Sequence, residues 1–203
     1  MTLAPLDKIP ATIKSGQERL SYNNQQLKFT LLDFWRWSVS DILSNATRGR
    51  LAEFIVAAAT NIDITKVRDE WSPYDLITPG RIKLEIKSAA YLQSWFQKTF
   101  SIISFGIKAA RHWDSATNVV SPEPKRHADV YVFCLLKHEN KSTVDPLNLD
   151  HWDFYVLATE QVNNYTRSKH SITLPSLKNL THAVSYGQLN DEIITKNALN
   201  NLK

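Results

Sequence analysis

Glycine is scarce in this chain, with five in 203 residues at positions 16, 49, 80, 106 and 187, none close to another. A Gly-rich dinucleotide loop, a phosphate-cradling P-loop and a Gly-flanked serine nucleophile elbow are therefore excluded, because each needs glycines clustered where the backbone turns or meets a phosphate. Cysteine is scarcer still. The lone Cys134 rules out an internal disulfide and any cysteine-built zinc or iron–sulfur site, and it fits a reducing compartment, so a cytoplasmic location is expected. The six His, at 112, 127, 138, 151, 170 and 182, never fall at the spacing of a zinc-protease helix. Long apolar runs are missing too. The longest, Val130 to Leu136, is far short of the roughly 20 residues that span a bilayer. Met1 to Gln26 is polar, without an apolar stretch of signal-peptide length, so no membrane association is expected.

What remains is a globular composition, 43% hydrophobic and 22% charged, of a length that suits one domain spanning residues 1–203. Lys and Arg outnumber Asp and Glu by 24 to 20, and this mild excess permits a polyanionic partner without requiring one.

The pattern along the chain is α/β. Residues 1–27 read as a loosely ordered lead-in, with a polar run at Tyr22 to Gln26. Thr30 caps a helix over Leu31 to Leu43, with Asp33 placed where an acid favours the positive helix end. A second helix covers Thr47 to Thr60, with Leu51, Phe54, Ile55 and Ala58 as its apolar stripe. The period then changes: Tyr74 to Thr78, Pro79-Gly80, and Arg81 to Ser88 read as strand, turn and strand. Ser88 to Trp113 reads as a helix followed by an extended stretch at Ile102 to Ile107. Val130 to Leu136 is a strand buried on both faces, and Asp153 to Thr159 is another strand. Residues 160–203 form a C-terminal extension with a short strand at Ser171 to Leu174 and a helix after Asn190. The Trp residues at 35, 37, 71, 113 and 152 read as packing groups. A central mixed sheet flanked by helices is the expected architecture.

One constellation carries chemistry. In Arg81-Ile82-Lys83-Leu84-Glu85-Ile86-Lys87, side chains alternate, so Ile82, Leu84 and Ile86 enter the core while Glu85 and Lys87 share the other face. Asp75 lies ten residues before Glu85, across the Pro79-Gly80 turn, and a hairpin brings it in front of Glu85. Two carboxylates and an ammonium around one point suit metal-assisted phosphodiester hydrolysis. Mg²⁺ takes oxygen ligands from one or two carboxylates plus waters and phosphate, and a nearby Lys orients water or stabilises developing charge. Acid-x-Lys also occurs at Glu123-Pro124-Lys125 and Glu139-Asn140-Lys141, but only Glu85-Ile86-Lys87 lies on an alternating apolar strand.

Asp75 followed by Glu85-Ile86-Lys87 resembles the PD-(D/E)XK motif of the restriction-endonuclease-like superfamily, with Tyr74 where the motif's Pro stands and Pro73 one position earlier. Glu53 occupies the place of the further acid that members often carry on the preceding helix. The resemblance covers a catalytic core over residues 45–136 and implies a restriction-endonuclease-like αβββαβ fold, in a bacterial member. It implies Asp75, Glu85 and the Ile86 carbonyl as ligands of Mg²⁺ (Mn²⁺ as substitute), with Glu53 completing the shell directly or through water, and Lys87 positioning or activating water. Gln93, Ser88, Tyr91 and Arg126 are the expected substrate contacts. The implied activity is hydrolysis of nucleic acid, with DNA as the expected substrate and a homodimer as a way to cut both strands. The alternative is a catalytically silent nuclease-fold module that binds nucleic acid or protein within a larger assembly.

Overall fold

The computed structural model describes residue 6 and residues 8–200, so most of the first residues of the lead-in and the last three of the C-terminal extension lie outside the described residues. Within the lead-in, Asn23 and Asn24 both take left-handed backbone angles (φ 48° and 60°), a conformation Asn tolerates. They form the two-residue turn between β1 (Arg19–Tyr22) and β2 (Gln25–Thr30), a hairpin that the polar sequence did not announce. Helix α1 (Leu31–Val39) follows at once. Its Thr30 cap and Asp33 bond reciprocally: Thr30 Oγ1 accepts from the Asp33 amide at 3.2 Å, and Asp33 Oδ2 accepts from the Thr30 amide at 2.8 Å. The helix stops short of Leu43 because Asp41 Oδ1 captures the amides of Leu43 and Ser44, and Ser44 then caps the next helix. No residue of α1 is buried.

Helix α2 (Asn45–Ala59) buries Arg48, Ala52, Ile55, Val56 and Ala57. The expected stripe is thus rotated: Ile55 belongs to it, but Phe54 and Ala58 are exposed. Ala52 and Ala57 among the buried positions let the helix approach the sheet closely. Strands β3 (Leu76–Ile77) and β4 (Lys83–Ala90) form the expected hairpin. Its turn is closed by Arg81 N donating to Thr78 O at 2.8 Å, and the left-handed residue is Arg81 (φ 64°).

The remaining elements are β5 (Ser104–Gly106), β6 (Trp113–Asp114), β7 (Val119–Val120), β8 (Val130–Leu136), β9 (Trp152–Ala158), α3 (Thr159–Asn164), β10 (Ser171–Thr173), α4 (Leu174–Lys178) and α5 (Leu189–Leu199). The central sheet runs β3-β4-β8-β9, with β4 parallel to β8 and the outer pairs antiparallel. This is the expected mixed α/β architecture. Every residue of β8 is buried. Val130, Val132, Cys134 and Leu136 face a core shared with α2 and α5, while Tyr131, Phe133 and Leu135 face one built on β5, β10 and α4.

The stretch after Ser88 differs from expectation. No helix forms there; β4 continues to Ala90, and the parallel connection to β8 is made by coil, β5 and the β6–β7 hairpin. The Trp expectation also needs correction. Trp152 alone of those five is a core residue, whereas Trp37, Trp71 and Trp113 are exposed. No helix among the described residues is long and apolar enough to cross a membrane.

Candidate active site

The register of the first hairpin decides where the acids meet. Leu76 pairs with Leu84 and Ile77 with Lys83, and one residue past the last pair Asp75 comes close enough to Glu85 for their charges to interact. The ladder ends at that point. A regular hairpin would give the Ile86 amide to the Tyr74 carbonyl, but Asp75 Oδ2 accepts it at 2.7 Å, while the Asp75 amide donates to Leu84 O at 3.0 Å. Asp75 therefore both terminates β3 and turns its carboxylate to the edge of β4.

Backbone alternation fixes a second group. Lys83 O accepts from Asp129 at the base of β8, and Tyr91 N donates to Leu136 O, so odd-numbered residues of β4 direct their polar backbone groups towards β8. Even-numbered residues direct theirs to the other edge. The Ile86 carbonyl thus faces the side where Asp75 lies, past the end of the two-residue β3.

Glu85 and Lys87 project from the opposite side of β4 to Leu84 and Ile86, as alternation requires. Both are largely covered, and Lys87 Nζ donates to Glu85 Oε1 at 2.5 Å. Burial holds the Glu85 carboxyl above the ordinary carboxylate range; Lys87 opposes the shift and the negative charge of Asp75 adds to it. Among the described residues, Asp75 Oδ1 and Glu85 Oε2 receive no hydrogen bond. Each carboxylate thus keeps one oxygen free of hydrogen bonds.

Glu53 reaches the same neighbourhood from α2. Its carboxyl is also pushed up, first by burial and then by Asp75, against the pull of Arg68. Glu53 Oε2 sits 2.8 Å from Arg68 Nη2, a contact that lacks the alignment of a good hydrogen bond. Asp75 is the common neighbour whose charge pushes both glutamates up. Among the described residues no group of three His, Cys, Asp or Glu side chains gathers around one ion position. Asp75 and Glu85 are neighbours, the Ile86 carbonyl faces the same edge of β4, and Glu53 neighbours Asp75 from α2. Such a set fits a hard divalent cation that retains several waters, and the crowding of buried negative charge is what such an ion would relieve.

Glu53 and Asp75 line a cleft of about 620 Å³, walled by apolar groups including Phe54, Ile64 and Ile77. Lys87 lines a separate groove of about 340 Å³ along β4. The acidic centre sits between these two depressions.

Residues 8–174 match the family described as bacteriophage T4 endonuclease IV. The chain belongs to that family. It is accordingly a member of a nuclease family, and the matched span includes every residue of the acidic centre, the two depressions and the sheet up to β10. Comparison with curated proteins finds no match.

The expected substrate contacts of this endonuclease IV family member fall in different places. Ser88 and Gln93 lie in a network around Arg48: Ser88 Oγ accepts from Arg48 Nε at 3.1 Å, and Gln93 Oε1 accepts from Nη1 at 3.2 Å. Gln93 is buried, and its Nε2 donates to Ala90 O and Ser101 Oγ, both at 3.1 Å. Tyr91 lies six residues beyond Glu85, roughly 20 Å along the strand, and packs against Phe100 near Glu139 and Asp153. Arg126 clamps the Ile107 carbonyl at 3.0 Å and Asn163 Oδ1 at 2.8 Å. It also borders Tyr131, whose hydroxyl is shifted upward by burial and by the charge of Glu85. Sequence reasoning missed Arg48. Its signal was a cation on the buried stripe of α2, legible only once that stripe is phased on Ala52, Ile55 and Val56.

Proposed function

We propose that this protein is a Mg²⁺-dependent phosphodiesterase of the PD-(D/E)XK type that cleaves DNA. The observation that carries this reading is the closeness of Asp75 and Glu85 across the hairpin, each with an unbonded oxygen, with Lys87 bonded to Glu85 and the Ile86 amide to Asp75. Asp75, Glu85 and the Ile86 carbonyl are the ligands, with Glu53 joining through water. When bound, Mg²⁺ (or Mn²⁺) supplies polarisation of the phosphoryl oxygen and acidification of a water. Lys87 holds the attacking water against Glu85 and stabilises charge that develops on the phosphoryl oxygens. Ile86 and Leu84, locked in the core, fix the orientation of the polar face of β4.

The test is cleavage of plasmid and oligonucleotide DNA with and without Mg²⁺. Lys87→Met is expected to lower kcat by about 10²–10³-fold with circular dichroism unchanged. Undiminished cleavage by Lys87→Met or by Glu85→Gln would refute the site. Retained DNA binding with no cleavage by the unmodified protein in any divalent cation selects the silent binding module instead.

A further inference from the structure

We propose that the groove along the free edge of β4 is a phosphate subsite. In it, the buried Arg48 guanidinium supplies the field for a nucleic-acid phosphate adjacent to the one held at Asp75 and Glu85. The inference rests on the phosphodiesterase reading and adds to it a place for the neighbouring part of the substrate.

Arg48 is 3% exposed and all its contacts are neutral. Nε donates to Ser88 Oγ at 3.1 Å, Nη1 to Leu43 O at 2.9 Å and Gln93 Oε1 at 3.2 Å, and Nη2 to Asn45 Oδ1 at 2.7 Å. Among the described residues no carboxylate pairs with it. An uncompensated buried charge is costly, and dipoles of this kind hold a guanidinium in place without cancelling its charge. An anion at the groove would cancel it.

The groove is built to receive one. Its volume of about 340 Å³ is bordered by Arg48, Lys87, Ser88, Ser101 and Ser104. Edge-facing backbone of β4 contributes the Ser88 amide, since β3 ends before reaching it. Asn45, the first residue of the 15-residue α2, also lines the groove, so the positive end of that helix dipole adds to the field of Arg48. Lys87 belongs to both the acidic centre and the groove, which makes the two continuous along β4.

Gly49 provides the test, because it lines the groove and a Cβ there meets nothing within 4 Å. A side chain can be added without disturbing Arg48, whose own replacement risks the fold. In a cleavage-silenced Glu85→Gln background, a fluorescent oligonucleotide is expected to bind Gly49→Glu about tenfold more weakly than Gly49→Gln, and Gly49→Lys more tightly than either. Neutral methylphosphonate, scanned through the phosphates next to the cut, should weaken binding to the parent at one position and strengthen it to Gly49→Glu at that same position. Equal affinities of the three Gly49 variants, or no position where the sign inverts, would overturn the subsite while leaving the nuclease reading intact. Protein with Glu85 intact that neither binds nor cleaves nucleic acid would overturn both.

Discussion

Asp75 has two separable jobs. Its carboxylate accepts the Ile86 amide, which ends the ladder, and the same group lies close enough to Glu85 to push its carboxyl up. Asp75→Ala strands a half-buried amide and is expected to cost about 1–3 kcal/mol in a denaturant melt. Asp75→Asn keeps an acceptor, so it should retain most of that stability while losing cleavage. Equal destabilisation by both variants would show that the charge, not the acceptor, closes the strand. Glu85 carries a different tension. Burial raises its carboxyl, so the folded state disfavours the ionised form, and lowering the pH through the raised value relieves that penalty. Glu85→Gln should therefore raise the melting temperature of the protein in EDTA at neutral pH. A drop would mean that the ion pair with Lys87 outweighs desolvation. The residue types and the ten-residue spacing of this pair were legible in the sequence, because a tight turn and strict alternation leave one way to face two side chains together. The role of Arg48 was not, since its neighbours Ser88 and Gln93 are 40 and 45 residues away.

Elements with strong local signals were readable, and those decided by distant packing were not. The cap of α1 is a local signal. Hydrogen bonds from the Thr30 amide and hydroxyl hold the Asp33 carboxyl below its usual value of 3.8. A depressed folded value gives stability that is present above the unfolded one and is lost as pH falls through the folded one. The Thr30 amide resonance should therefore titrate below pH 3.8, and a midpoint at or above that value would contradict the box. Val130 to Leu136 was equally plain, because an unbroken apolar run of strand length has to be covered on both faces. The phase of α2 differs from one drawn through its large side chains, because the sheet selects Ala52 and Val56 while Phe54 turns to the cleft. The β1–β2 hairpin escaped notice because its strands are exposed and polar, and its turn depends on left-handed Asn residues rather than glycine. The missing helix between β4 and β8 reflects a tertiary choice, in which β5 pairs with β10 from the far end of the chain.

Across the molecule, cohesion is uneven. The buried β8 is sandwiched between β4 and β9, while the β1–β2 hairpin and α1 bury no hydrophobic side chain. Hydrogen exchange should show β8 amides opening only with global unfolding and those of β1, β2 and α1 opening far sooner. Similar protection in both would mean that something covers the exposed apolar groups of α1, Phe34 and Trp37 among them. The single thiol offers a way to follow this balance. Cys134 is fully buried within β8, and burial raises its pKa, so the thiol is shielded and un-ionised in the native fold. An alkylating reagent can label it only when the innermost strand is laid bare. The chain thus carries one built-in stopwatch for complete opening, and any cation or oligonucleotide that favours the native state will slow it, reporting binding without a cleavage assay.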